Sequence, residues 1–291
     1  MSQIRVIQYG LGPIGCRVAT LAAERSNLQI VGGVDVDPAK AGQDVGKVIG
    51  LNRTLGFPVT KTLAETLKRT QADVVLHTTN SYFDLFQAQI VEILEAGLDI
   101  VSTSEELSFP WLDNAAQAQA IDAVAKRVGK TVLGTGVNPG FLMDTLPLQL
   151  TGICAQVDRI EVTRVSNASQ RRGPFQKKIG SGMTVDDFMA KMREGRMGHV
   201  GLRQSMGMVF DTLGKKLVKY EDGVEPVVAQ VLTKTDYFTV EPGKVKGLKQ
   251  VARGFAPEGE FMTLIFIAAL AMDDDGDVIK ITGRPNLEVN L

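Results

Sequence analysis

Two adjacent carboxylates, Glu105 and Glu106, follow Leu98 to Thr103, a short stretch that reads as a buried strand. In an open α/β sheet, ligands bind beyond the carboxyl ends of the strands, so side chains just past a strand are where chemistry is expected. Neighbouring residues point in different directions, and at most one of the pair should face a reacting molecule. The charge that develops decides what a carboxylate can do there. Oxidising an alcohol calls for a base that removes the hydroxyl proton. Oxidising an amine leaves a cationic iminium once hydride departs, and a nearby carboxylate stabilises that cation directly. The same group can deprotonate a substrate ammonium, or shuttle protons as ammonia adds to a ketone. The pair therefore favours C–N over C–O chemistry. The alternative role is a charge at a helix entrance, near the positive end of the macrodipole.

Hydride chemistry needs a carrier, and the N-terminal stretch has the pattern for one. Ile4 to Tyr9 reads as a strand and Cys16 to Arg25 as a helix, with Gly10-Leu11-Gly12-Pro13-Ile14-Gly15 between them. In this arrangement two glycines let the backbone approach a pyrophosphate and the third lets helix pack on strand. A second strand, Gln29 to Val34, ends at Asp35, twenty positions after Gly15, where a carboxylate accepts hydrogen bonds from an adenosine ribose. The expected cofactor-binding set is Gly10, Gly12, Pro13, Ile14, Gly15 and Asp35, joined by Thr78 and Thr79 at the end of the strand Ala72 to Thr79. Asp35 would repel a 2′-phosphate and no arginine follows it immediately, so NAD is expected. Lys40 leaves room for NADP. His77, inside an apolar run, reads as a hydrogen-bonded core histidine.

On the substrate side, Asn138 lies in Gly136-Val137-Asn138-Pro139-Gly140, after another strand. Arg164 and Asn167 lie at the end of an alternating strand, with Arg171 and Arg172 beyond, and arginine suits bidentate binding of a carboxylate. A solvated loop is the alternative for that stretch. His199, flanked by Gly198 and Gly201, suits either a lid or a capping position.

The elements that must position these residues fall into two regions. From residue 1 to 137, β and α patterns alternate strictly, which predicts a doubly wound parallel sheet of the Rossmann type. From 138 to 291 the reading is α+β, a substrate-binding and dimerisation domain. Helices over Met143 to Leu150, from Thr184 and over Ser205 to Leu213 precede strands at Pro226 to Leu232, Tyr237 to Val240, Gly247 to Gly254, Phe261 to Ala271 and Val278 to Ile281. A length of 291 residues fits two domains. A net charge of −1 argues against nucleic acid and anionic membranes as partners. The longest late apolar run, Phe261 to Met272, is too short to span a bilayer. Two cysteines without metal-ligand spacing fit a reducing compartment, and the chain opens on a strand with no charged-then-apolar leader, so a cytoplasmic protein is expected. A homodimer is the expectation from symmetry frequency, with the strand-rich region as a possible sheet interface.

Three stretches carry a family resemblance. They are Tyr9 to Gly15, Ser102-Thr103-Ser104-Glu105-Glu106-Leu107-Ser108-Phe109-Pro110-Trp111, and Gly134-Thr135-Gly136-Val137-Asn138-Pro139-Gly140-Phe141. The chain resembles the 2,4-diaminopentanoate dehydrogenases, a family of the dihydrodipicolinate-reductase-like group that includes native amine dehydrogenases. Val162 to Val165, Arg171-Arg172, Gly198 to Gly201 and Gln250 to Gly254 match the same pattern, while Ser104 and Phe109 vary it slightly. The resemblance implies NAD(P)-dependent oxidative deamination of an amine or diamino acid, and reductive amination of a ketone with ammonia in reverse. It also implies a catalytic glutamate at the Glu105–Glu106 position, with Glu105 favoured because in related Rossmann dehydrogenases a catalytic side chain emerges about there. Two other readings stand beside it. A cyclic imine reductase would carry a basic His-His-Arg and Lys signature that is not evident, and a regulator could sense NAD(H) without turnover.

Overall fold

The computed structural model describes residues 3–195, 197–273 and 275–291, and the chain divides into two compact units, Met1–Gly140 and Phe141–Leu291. In the first unit, strands β1 (Ile4–Tyr9), β2 (Leu28–Val34), β3 (Val59–Thr60), β4 (Val74–His77), β5 (Asp99–Ser102) and β6 (Val132–Gly134) form one sheet in the order β3-β2-β1-β4-β5-β6. Every pairing is parallel. The helices are α1 (Pro13–Ala23), α2 (Val45–Val48), α3 (Leu63–Leu67), α4 (Phe83–Glu95) and α5 (Ala115–Val128). The strand order reverses between β1 and β4, the position where such sheets open a crevice for a ligand.

The short strands are apolar on both faces because both faces are covered. Ile7, Val34, Val75 and Ile100 pack with Phe83, Phe86 and Ile90 of α4 and Ile121 of α5. Val6 and Ile30 pack with Ala19 and Ala22 of α1 and with Leu11 and Val45. Helix α1 starts at Pro13, earlier than the Cys16 expected from composition. A proline at the first helical position lacks only an N–H that would find no intrahelical partner.

The second unit holds α6 (Thr145–Thr151), β7 (Gln156–Asn167), α7 (Gly173–Lys178), α8 (Val185–Arg193), α9 (Leu202–Thr212) and β8 (Lys219–Val228). The short pair β9 (Thr233–Lys234) and β10 (Thr239–Val240) follows, then β11 (Val245–Ala256), β12 (Gly259–Ala269), β13 (Gly276–Arg284) and β14 (Leu287–Asn290). Its main sheet runs β14-β13-β7-β12-β11-β8, with β12 and β7 parallel and the other neighbours antiparallel. Pro147 falls in the first turn of α6, where its missing donor is not needed, which is why the helix tolerates it. Strand β8 begins well before the expected Pro226. It lies at the sheet edge, where proline does least harm to a ladder.

One face of this sheet is covered. Ile160, Val162, Met262 and Leu264 pack against Leu202, Met206, Val209 and Phe210 of α9. Leu248 and Ala268 pack with Ile179 and Phe188 around α7 and α8. The opposite face carries Thr163 and Val165 of β7 beside Ile265 and Ile267 of β12, with Val251 of β11 and Val278 of β13 in register. All six are only partly buried and belong to none of the unit's core clusters.

Candidate active site

Between β1 and α1, the three glycines have three different physical reasons. Gly10 has φ of 90°, and a Cβ there would meet the Thr78 carbonyl oxygen at 2.6 Å. A Cβ on Gly15 would lie 1.9 Å from the Gly10 oxygen. Gly12 is different: a Cβ there would meet nothing within 4 Å. It is the N-cap of α1, in extended conformation and without a capping side chain, so the first N–H groups of the helix are left for another molecule. The open space before Gly12 therefore fits a pyrophosphate held by helix N–H groups and the positive end of the dipole. Ile14, in that first turn, remains 62% exposed, an apolar surface ready to be covered.

Asp35 extends from the end of β2. Its carboxylate accepts the Leu11 N–H at 2.8 Å and the Asp37 N–H at 2.8 Å, and Lys40 Nζ donates to it at 3.0 Å. Burial pushes this carboxyl up, but the donors from Asp37, Lys40 and Leu11 outweigh burial and hold it below the ordinary range. It is thus an ionised acceptor tied to the glycine loop, the chemistry that suits ribose hydroxyls.

A cavity of about 440 Å³ opens at the carboxyl ends of β4, β5 and β6. Its walls are Thr78 to Ser81 after β4, Thr103 and Glu105 after β5, Gly136 to Pro139 after β6, and Ile14 and Val18 of α1. Both threonine hydroxyls expected at the cofactor are engaged within the protein. Thr78 Oγ1 donates to the Gly10 oxygen at 2.8 Å and accepts from Gln8 Nε2 at 2.8 Å. Thr79 Oγ1 donates to Gln89 Oε1 at 2.7 Å. The threonines line the cavity while bracing its frame. Gln8, fully buried in β1, was not singled out from the sequence; a lone amide in an apolar strand was the signal.

Beneath this floor lies His77, fully buried. Nδ1 is 2.9 Å from Ser102 Oγ, and Nε2 is 2.8 Å from Gln89 Oε1 and 2.9 Å from Thr79 Oγ1. An amide oxygen only accepts, so Nε2 carries the proton and Nδ1 accepts from Ser102. Burial lowers the pKa of this imidazole, with the Gln89 bond opposing, in keeping with a neutral ring. The core reading of His77 fits this geometry.

The two glutamates part company in the single 3₁₀ turn Glu105–Leu107, where successive side chains diverge by about a third of a turn. Glu105 lines the cavity. Glu106 turns to the start of α4, where its Oε2 accepts the Phe83 N–H at 2.6 Å, and its own N–H donates to the Ser81 oxygen at 3.2 Å. It therefore occupies a helix-entrance position that lacks a capping side chain of its own. Asn138, in a cis peptide with Pro139, lines the same cavity as Glu105.

In the second unit, Arg164, Asn167 and Arg171 line a cavity of about 540 Å³ with Asp275 and Asp277. Arg164 Nε lies 3.8 Å from Asp277 Oδ1, while its Nη1 is buried with no hydrogen-bond acceptor among the described residues. Burial raises the Asp277 pKa, Arg164 opposes that and Asp275 adds to it. The Asn167 amide is committed within the chain: it accepts the Ser169 N–H at 3.0 Å and donates to the Met272 oxygen at 3.0 Å. His199 packs against Phe266 in a tilted pair, with ring centroids 4.9 Å apart. The buried Gln250 pins its backbone, accepting the His199 N–H at 2.6 Å and donating to its oxygen at 3.4 Å, while also donating to Asp222. Among the described residues there is no group of three or more His, Cys, Asp or Glu side chains placed to hold a metal ion, and no helix is long and apolar enough to cross a membrane.

Comparison with known proteins matches residues 141–291 to the 2,4-diaminopentanoate dehydrogenase C-terminal domain and residues 4–105 to the dihydrodipicolinate reductase N-terminus. A 2,4-diaminopentanoate dehydrogenase of Acetoanaerobium sticklandii is 30% identical over 312 residues, covering 99% of this chain and 84% of that protein. An amine dehydrogenase of Streptomyces virginiae is 29% identical over 191 residues, 63% of this chain and 52% of that one. Among solved structures, the amine dehydrogenase of Mycobacterium smegmatis superposes with a TM-score of 0.85 at 26% identity, over 100% of this chain and 86% of that chain.

Proposed function

The chain belongs to the 2,4-diaminopentanoate dehydrogenase family, and as an NAD(P)-dependent oxidoreductase acting on amines, we propose, it uses Glu105 as its catalytic carboxylate. The observation that carries this reading is the division of labour in one turn: Glu105 lines the strand-end cavity, and Glu106 is bound to the Phe83 N–H. When bound, the nicotinamide supplies the hydride acceptor for the amine-bearing carbon. Glu105 takes a proton from the substrate ammonium, which frees the nitrogen lone pair to support hydride departure. The carboxyl passes that proton on to water, and its restored negative charge faces the iminium. In the reverse direction it relays the proton that ammonia releases on adding to a ketone. Glu106 acts as a positioning residue that ties the turn to α4.

Asn138, in the same cavity, is assigned to orienting the substrate. In the second unit, Arg164 has the unmatched guanidinium N–H and suits a substrate carbonyl or carboxylate. Asp277 tempers its pull on a free carboxylate, so the substrate class is amines in general, with diamino acids as one case. Asn167 serves by holding the turn beside Arg164, and His199 is presented by a loop that Gln250 pins. NAD is assigned as the preferred cofactor and NADP as accepted. The partly buried sheet face of Thr163, Val165, Val251, Ile265, Ile267 and Val278 supports a homodimer joined through it. Cys16 and Cys154 are both free, which suits a cytoplasmic setting.

Paired substitutions test the carboxylate assignment. Glu105→Gln is expected to lower kcat for amine oxidation by about 10²–10⁴-fold with cofactor binding retained. Glu106→Gln keeps an acceptor for the Phe83 N–H and should cost less than about tenfold. Equal losses in both variants, or full turnover in Glu105→Gln, would sink the assignment.

A further inference from the structure

The acid placed to receive the adenosine ribose is already bonded to a cation of its own loop. Lys40 Nζ lies 3.0 Å from Asp35 Oδ2 and 3.4 Å from Asp37 Oδ2. The turn that delivers it is ordered locally. Asp37 Oδ1 accepts the Ala39 N–H at 2.9 Å, and the Lys40 N–H donates to the Asp37 oxygen at 3.0 Å. About a quarter of the lysine side chain is exposed, against a tenth of that of Asp35, so the ammonium covers the outer side of the carboxylate.

An aspartate here excludes a 2′-phosphate mainly by charge. With Lys40 in place the local sum is one negative charge, from two carboxylates and one ammonium, and the positive member is the mobile one. A lysine stem is flexible and its ammonium has three donors. Two arrangements of the same loop follow. Facing unphosphorylated ribose, Asp35 accepts the hydroxyls while Lys40 rests on Asp37. Facing a 2′-phosphate, Lys40 leaves Asp35 and pairs with the phosphate, and because it is already held nearby, little further ordering is needed. We propose that Lys40 is the cofactor-selecting residue of this chain, a movable counter-ion on Asp35 through which a 2′-phosphorylated dinucleotide is admitted beside the unphosphorylated one.

The test is equilibrium binding of NADH and NADPH to the whole protein, followed by nicotinamide fluorescence without any amine or ketone. In Lys40→Met, the ratio of the NADPH Kd to the NADH Kd is expected to rise about fivefold or more, the worth of one good partly exposed ion pair. Lys40→Arg keeps the charge and should hold the ratio within about twofold of the wild type. Raising the salt concentration should weaken NADPH binding more than NADH binding in the wild type, and equally in Lys40→Met. A smaller rise in Lys40→Met, or a rise in Lys40→Arg as large as in Lys40→Met, overturns the proposal. So does loss of both cofactors in Lys40→Met with the circular dichroism unchanged, which would make Lys40 a structural pin of Asp35. NADH binding in each variant reports separately that the dinucleotide fold is intact.

Discussion

Each unit contains a six-stranded sheet, but the two are dressed differently. The parallel sheet of Met1–Gly140 has helices against both faces, and Val6, Ile7 and Val75 at its centre are fully buried. The mixed sheet of Phe141–Leu291 has α7, α8 and α9 against one face, while Val251, Ile265 and Ile267 on the other stay partly exposed. A sheet covered on both sides can offer chemistry only at its strand ends, and there the glycine loop, Asp35, Glu105 and Asn138 are found. A sheet covered on one side keeps a broad surface for something else. The same β-rich composition thus serves a site in one unit and, in our reading, an interface in the other.

Placing the same charge in the two sheets is the sharpest way to break this comparison. Val75→Asp puts an unpaired carboxylate into the buried sheet and should cost more than about 4 kcal/mol, enough to abolish cooperative thermal unfolding and soluble expression. Ile265→Asp should leave the circular dichroism and melting of the protomer largely intact and halve the mass seen in sedimentation. If Ile265→Asp unfolds the protein as Val75→Asp does, the second sheet is covered on both faces after all and the contrast fails. The smallest effect concerns pH. Burial sets the folded pKa of His77 below the ordinary 6.5, so between those two values the unfolded chain binds more protons than the folded one. Its contribution to stability is therefore full above 6.5 and declines as pH falls from 6.5 toward the folded value. Tyr9, whose phenol burial and Glu92 push up to about 12, stays neutral beside it throughout. Thermal midpoints measured across this range should fall more steeply for the wild type than for His77→Gln. Parallel slopes would remove His77 as the cause.

The first sheet was legible in the sequence because covering both faces forces short, nearly continuous apolar strands, each followed by a periodic helix. The second was legible only in part. Lys219 to Asp222 begin an edge strand in polar residues, and Leu287–Asn290 is too short to announce itself. In α7, Gly173 and Pro174 open a six-residue helix that reads as a turn. At the site, residue type and spacing pointed to the glutamate pair, yet adjacency could not say which member faces the cavity. That depended on the start of α4, more than twenty residues earlier, where the Phe83 N–H claims Glu106. Likewise, alternation along the strand could not bring Arg164 and Asn167 to one face. Three positions apart, they leave opposite faces of a strand, and they share a cavity only because it wraps the strand's end.

Gly12 ties the lifetime of the protein to its cofactor. The protein's own packing makes no demand for glycine there, since a methyl group would touch nothing within 4 Å. Gly12→Ala should therefore melt close to the wild type when no cofactor is added, apart from a small capping change. The difference appears on occupancy. Wild-type protein gains stability in proportion to the logarithm of cofactor concentration over Kd, and the variant forfeits that gain. In a cell, where unfolded chains are continuously removed, such a variant would be scarce although its own fold is sound. Abundance would then record how much of the enzyme is charged with cofactor.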